Sequence, residues 1–322
     1  MAVYTEVSAD DISAFVAEYG LGAVLTFKGI AEGVENSNYL LQTEGGSFIL
    51  TLYEKRVKPE DLPYFITLMD HLAARGITCP RPVHDLEGVA LKTLCDRPAA
   101  MVSFLNGISL KRPSFAHCGE LGRALAELHQ AAADFTGFRA NALSLEGWQD
   151  LAAKAAPGAD SVAPGLEQTI RDEIAWLEAA WPHDLPSGVI HADLFPDNVF
   201  FLGEKLSGII DFYFACNDAL AYDLAICINA WCFEPDGAFN ATKARQMVAG
   251  YQAVRPMTAQ EIAAFPILCR GAALRFLLTR LYDWRNQIDG ALVRPHNPIP
   301  FLERLRFHQQ SLSAATYGFD AE

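Results

Sequence analysis

Two short apolar stretches bracket a polar loop in the second half of the chain: Val189-Ile190-His191-Ala192-Asp193-Leu194-Phe195-Pro196-Asp197-Asn198-Val199-Phe200-Phe201. A turn at Gly203-Glu204-Lys205 follows, and then Gly208-Ile209-Ile210-Asp211. An apolar run that ends in Asp puts a carboxylate at a strand end, where it can point into a cleft. Asp193, Asn198 and Asp211 are oxygen donors of the kind that hard Mg2+ prefers. The five-residue step from Asp193 to Asn198 does not suit one helix face, so a loop has to bring the two together.

The rest of the chain falls into two parts around this segment. From Ser8 to Gly20, Ile12, Phe15, Val16 and Tyr19 recur at helical spacing, with Ser8 as N-cap and Gly20 as stop. The stretches 38–43 and 47–53 flank Glu44-Gly45-Gly46 and predict a hairpin. A helix is expected from about Pro59 to Gly76, then strands near 90–93 and 99–104. Beyond Gly107 the spacing turns helical, with stripes at Leu121, Leu125, Leu128 and at Leu166, Ile170, Ile174, Leu177, Trp181. Residues 155–164 predict a loop, and Thr258-Ala-Gln-Glu261 predicts a capping box. Pro266 is expected to break or kink the long Arg-bearing helix that follows. The expectation is an α+β chain: a small sheet-plus-helix lobe over residues 1–104 and a larger, mainly helical lobe over 105–322.

Composition narrows the function classes. Lys plus Arg number 25 against 39 Asp plus Glu, a net charge of −14 among 322 residues, which argues against bulk attraction to nucleic acid or an anionic membrane. A local basic pocket for phosphate remains compatible with it. The seven cysteines form no CxxC pair, so they read as buried reduced thiols of a cytosolic protein. The opening MAVYTEVSADD has no basic region leading into an apolar core, so no secretory signal is expected. The most apolar run, GAALRFLLTRLYDW, carries Arg275 and Arg280, so no membrane span is expected.

His-x-Asp-x-x-x-x-Asn followed 13 residues later by an Asp that ends Ile-Ile-Asp resembles the core of the protein-kinase-like phosphotransferases. Ala192 before Asp193, and Phe212-Tyr213 after Asp211, favour the small-molecule branch of aminoglycoside phosphotransferases and choline kinases. Within it the chain is similar to the homoserine kinases of the aminoglycoside-phosphotransferase-like type. The stretches that carry this likeness are Gly33-Val-Glu-Asn36-Ser-Asn38-Tyr, 48–54, 101–105, 210–217, 222–232 and 270–280. Gly20-Leu21-Gly22-Ala23 mimics a piece of the phosphate loop of an unrelated kinase fold, but it lacks that loop's Pro and Ser residues and reads as a helix stop.

The resemblance implies a two-lobed kinase-like fold and ATP- and Mg2+-dependent phosphorylation of L-homoserine to O-phospho-L-homoserine, a step of threonine synthesis. It implies that Asp193 orients the substrate hydroxyl and accepts its proton, and that Asn198 and Asp211 hold Mg2+. It further implies that the loop with Gly29, Gly33, Asn36 and Asn38 lays N–H groups on the triphosphate, and that Met101, Ser103 and Leu105 form the adenine hinge. One departure stands out. Thr51 occupies the place of the usual phosphate-binding Lys, and the following helix has no central Glu to pair with such a Lys; Lys28, Lys55 and Arg56 are candidate replacements.

A homoserine carboxylate calls for Arg. Arg270, Arg275 and Arg280 lie on one predicted helix, with Asp283 as a candidate for the ammonium and Asn229 and Trp231 as candidate wall residues. Residues five apart sit about 140° from each other, so the three arginines cannot all face one pocket. Plainer readings compete: His191 and Asp223 as structural supports of the loop, Trp231 and the cysteines as core packing, and the arginines as ion-pair partners. Two rival functions also remain at this stage, a sibling kinase for choline, methylthioribose or an aminoglycoside, and a non-catalytic kinase-like regulator that binds nucleotide.

Overall fold

The computed structural model of the protein describes residues 5–30, 36–54, 57–286, 295–311 and 313–319. The chain forms two units. The first comprises Met1–Gly107, Phe135–Gly137 and Ser207–Tyr213; the second comprises Ile108–Asp134, Phe138–Leu206 and Phe214–Glu322.

In the first unit, α1 (Ala9–Ala17) starts where the sequence predicts, because the Ser8 side chain accepts from the Asp11 amide at 3.1 Å. Three antiparallel strands follow: β1 (Val24–Gly29), β2 (Ser37–Thr43) and β3 (Gly46–Leu52). Thr43 pairs with Gly46 in the β2–β3 hairpin, whose turn is Glu44-Gly45. After a short 3-10 turn comes α2 (Leu62–Ala74), which buries Leu62, Phe65, Ile66, Met69 and Leu72. The strands β4 (Leu91–Leu94) and β5 (Arg97–Ser103) complete a sheet of order β1-β2-β3-β5-β4. Alternation along the strands sends Tyr39, Leu41, Leu50, Leu52 and Met101 into one cluster with Ile12, Phe15 and Val16 of α1. The β4–β5 turn places Cys95 and Asp96 both at positive φ, 50° and 58°. That turn sits on the surface, so Cys95 is exposed, unlike the other six cysteines and contrary to the expectation of uniform burial.

The second unit contains α3 (Phe115–Ala131), α4 (Leu145–Ala155) and α5 (Leu166–Ala180), then β6 (Ser187–Ile190) and β7 (Val199–Leu202). In β8 (Lys205–Ile209) the chain passes from the second unit to the first, and β9 (Cys216–Ala219) returns to pair with β6. The remaining helices are α6 (Leu220–Trp231), α7 (Ala241–Val254), α8 (Ala259–Arg285) and α9 (Ile299–Gln310). Apolar on nearly every side, α6 is buried along almost its whole length. The capping box at the start of α8 forms as predicted: Thr258 Oγ1 accepts from the Glu261 amide at 3.2 Å and Glu261 accepts from the Thr258 amide at 2.9 Å.

Of the two outcomes expected at Pro266, a break does not occur: α8 runs through it. A proline inside a helix costs ~3 kcal/mol. Burial of Phe265, Leu268, Cys269, Ala272 and Leu274 through Leu278 offsets it. By length and composition α8 could cross a membrane, yet its apolar residues are spent on packing inside this unit.

Two glycines bring α3 and α7 together. A Cβ at Gly122 would stand 2.0 Å from the Met247 carbonyl oxygen, and one at Gly250 would stand 2.1 Å from that of Gly119. Gly122→Ala is therefore expected to destabilise the protein by about 1–3 kcal/mol, since backbone has to move to admit a methyl. A urea midpoint equal to that of the unmodified chain would show that the helices part without cost.

Candidate active site

The loop after β6 is clamped from below. Asp223, in the first turn of α6 and fully buried, accepts from the His191 amide at 2.7 Å and the Ala192 amide at 2.9 Å. His129 of α3 adds a third contact at 3.1 Å. Burial alone raises this carboxyl, but the bonds from His129 and His191 outweigh it and hold the group below the usual carboxylate range. The chain of bonds runs on: His129 Nδ1 meets the Tyr251 hydroxyl at 2.8 Å, and Arg255 bonds both that hydroxyl and Glu261 at the head of α8. His191 is thus buried in a supporting place, with its Nδ1 accepting from the Asp193 amide at 3.3 Å.

Ala192 has φ of +63°, a conformation that L side chains rarely adopt. Its amide is held by Asp223, and Arg275 Nη1 donates to its carbonyl. With both ends fixed, the strained residue turns the chain so that Asp193 follows at a half-buried position. A 3-10 turn at Pro196–Asn198 then brings Asn198 back. Asn198 Nδ2 donates to the Asp193 carbonyl at 2.8 Å and to its carboxylate at 3.3 Å. Its amide nitrogen is thereby committed, which leaves its Oδ1 as the atom available to a cation.

In the first unit, Asp211 follows β8 at φ of +66°. Beside it Tyr213 sets its hydroxyl 3.1 Å from that of Tyr53, and burial with the Asp211 charge pushes the Tyr213 phenol up to about 12. Among the described residues no three His, Cys, Asp or Glu side chains cluster as a metal site. Mg2+ is usually held by one or two protein oxygens together with substrate phosphates. The Asn198 oxygen in the second unit and the Asp211 carboxylate in the first are each donors of the kind such an ion takes.

The other sequence candidates are placed as follows. Gly29 ends β1 opposite Tyr39, Asn36 Oδ1 accepts from the Glu54 amide, and Asn38 Oδ1 accepts from the Thr51 hydroxyl at 2.8 Å. Thr51 is therefore part of a neutral cross-strand pair. Gly33, Lys55 and Arg56 lie outside the described residues, and Lys28 is exposed on β1. The Met101 side chain is in the core and its carbonyl accepts from Val83. Ser103 exchanges bonds with Arg81 through both its amide and its hydroxyl. Leu105, beyond the strand, is the hinge candidate whose main chain makes no hydrogen bond among the described residues.

Asn229 and Trp231 do not line a wall. Both are enclosed, Asn229 bonded to Ala225, Cys269 and His308, and Trp231 bonded to the Leu194 carbonyl at 2.8 Å. Of the two readings of Trp231, core packing is the one these contacts support. Arg270 grips Glu173, so it too is committed. Arg280 behaves differently: half-buried, it lies in the fields of Asp193 and Asp197, and burial brings its guanidinium down to about 10. Asp283 is in the field of His296. Arg304 of α9, which the sequence reading passed over, sits over Phe301 as Arg280 does. No motif marks it; its spacing from Phe301 is that of any helical pair.

A unit built on an antiparallel sheet, and a helical unit that presents Asp193 and Asn198 from a buried clamp, are the organisation of a kinase-like phosphotransferase. The chain belongs to the phosphotransferase enzyme family, which matches residues 26–257. It is 61% identical over 321 residues to a homoserine kinase of Xanthobacter autotrophicus, covering 100% of both chains. With a homoserine kinase of Methylobacterium radiotolerans the identity is 62% over 318 residues, covering 99% of each. Among solved structures, an amicoumacin kinase shares the fold with a TM-score of 0.69 at 14% identity, covering 98% of this chain and 96% of that one. A choline kinase from Cryptosporidium parvum gives 0.64 at 14%, covering 89% and 88%.

Proposed function

We propose that the protein is an ATP-dependent homoserine kinase, which transfers the γ-phosphoryl group of ATP to the side-chain hydroxyl of L-homoserine and releases ADP and O-phospho-L-homoserine. The observation that carries this reading is identity of about 60% to homoserine kinases along the entire chain. The hydroxyl oxygen forms the new bond to phosphorus as the bond to the β-phosphate oxygen breaks, and the hydroxyl proton passes to the Asp193 carboxylate. Because the transition state is loose, Asp193 contributes chiefly by orienting the nucleophile. Asn198 fixes Asp193 through its amide nitrogen, while its oxygen and the Asp211 carboxylate would hold Mg2+. Mg2+ held there would supply charge neutralisation at the phosphate oxygens. Leu105 offers its main chain to adenine, Arg280 takes the substrate carboxylate and Asp283 its ammonium.

ADP release with L-homoserine, measured beside choline, methylthioribose and an aminoglycoside, tests this reading. Homoserine-dependent release supports it. Release with one of the other alcohols alone points to a sibling kinase, and nucleotide binding without turnover points to a regulator, for which the neutral Thr51–Asn38 pair is the motivating feature. Asp211→Asn is expected to raise the Mg2+ concentration for half-maximal rate at least tenfold, by removing one charge from the ion's shell. An unchanged Mg2+ requirement would remove Asp211 from that role.

A further inference from the structure

Arg280 on α8 and Arg304 on α9 hold their guanidinium carbons over the same ring, that of Phe301, at 4.4 and 4.3 Å from its centroid. Phe301 is completely buried, so both cations stack on a fixed surface. The two carbons therefore stand no farther apart than twice that distance, and the charge of Arg280 acts against that of Arg304. Neither has a carboxylate at ion-pair distance among the described residues, although burial brings both guanidinium groups down to about 10. Other arginines of α8 are committed: Arg270 to Glu173, Arg275 to the Ala192 carbonyl, Arg285 to the Ala155 carbonyl. Two desolvated like charges that act against each other are unfavourable until an anion joins them. Arg280 also lies in the field of Asp193, the residue assigned to the reacting hydroxyl.

We propose that Arg280 and Arg304 together form the subsite for the α-carboxylate of the substrate, one oxygen to each guanidinium, and that Arg304 is a specificity-determining residue. This rests on the homoserine reading above. A carboxylate bridging two guanidinium groups neutralises both at once, and the planar donors fix its orientation. The subsite separates an amino-acid alcohol from an amino alcohol that lacks the carboxylate.

The test compares L-homoserine with 3-amino-1-propanol, which is homoserine without its carboxylate, as substrates of the whole protein and of R304Q. The expected result is a rise of about 10–100-fold in KM for homoserine, the loss of one bond to a charged group, with KM for ATP unchanged. The preference in kcat/KM for homoserine over 3-amino-1-propanol falls by the same factor. A parallel loss with both alcohols overturns the inference, as does an unchanged KM for homoserine or a rise confined to KM for ATP. Should R304Q fail to fold, R304K carries the same comparison, with the preference reduced several-fold because Lys keeps the charge and loses the fork. Unmodified protein inert toward homoserine but active on another alcohol overturns the substrate reading and this inference with it. Active unmodified protein with an undiminished preference in the variant overturns this inference alone.

Discussion

Asp193→Asn is expected to lower kcat about 1,000-fold while leaving affinity for Mg2+-ATP within about twofold, in keeping with the general-base contributions of 10²–10⁴ that such residues make. The substitution is nearly isosteric. Its main chain still accepts from Asn198 and Phe195, and its amide still bonds His191, so the loop keeps its shape. What changes is the group that meets the substrate hydroxyl. A carboxylate orients the O–H and takes its proton, whereas an amide can orient it but cannot become its conjugate acid at neutral pH. Single-turnover rates and equilibrium nucleotide binding separate the two effects. Retention of most of the rate would remove Asp193 from the reaction, and loss of nucleotide affinity in proportion to rate would make its role one of binding.

Asp223→Ala is expected to destabilise the protein by about 3–5 kcal/mol, the cost of breaking a buried charged network by removing one partner. Three donors lose their acceptor together: the His191 and Ala192 amides and the His129 ring. The left-handed turn at Ala192 then keeps only the Arg275 contact, so kcat should fall as well, although Asp223 touches no reacting atom. The pH dependence has a definite sign. The carboxyl is held below its ordinary value of 3.8, so its contribution is complete above that value and is lost as pH falls through the lower folded-state value. The unmodified protein should therefore lose stability below pH 3.8 more steeply than the variant does. Urea midpoints at neutral pH and at pH 3 measure both effects, and equal midpoints for the two proteins at neutral pH would contradict the clamp.

The parts legible in the sequence are those whose causes are local. Ser8 and the Thr258–Glu261 box announce helix starts because capping involves residues three apart. The β2–β3 hairpin follows from alternation and a glycine turn, and the loop of Asp193 from a polar interruption between apolar strands. What escaped depends on distant partners. Whether Pro266 breaks α8 or is carried within it depends on packing that no local rule records. Asn229 is enclosed by α8 and α9, contacts 40 and 79 residues away. Arg304 gains meaning only when α9 lies against α8, which sets it over the ring that Arg280 also uses.

The most direct measurement follows phosphorus from ATP into product by 31P NMR with L-homoserine present, for the unmodified chain and for Asp193→Asn. The account predicts a phosphate-ester signal of O-phospho-L-homoserine that grows in step with ADP, and its near absence in the variant. ADP appearing with inorganic phosphate and no ester, or an ester formed equally fast by the variant, would contradict it.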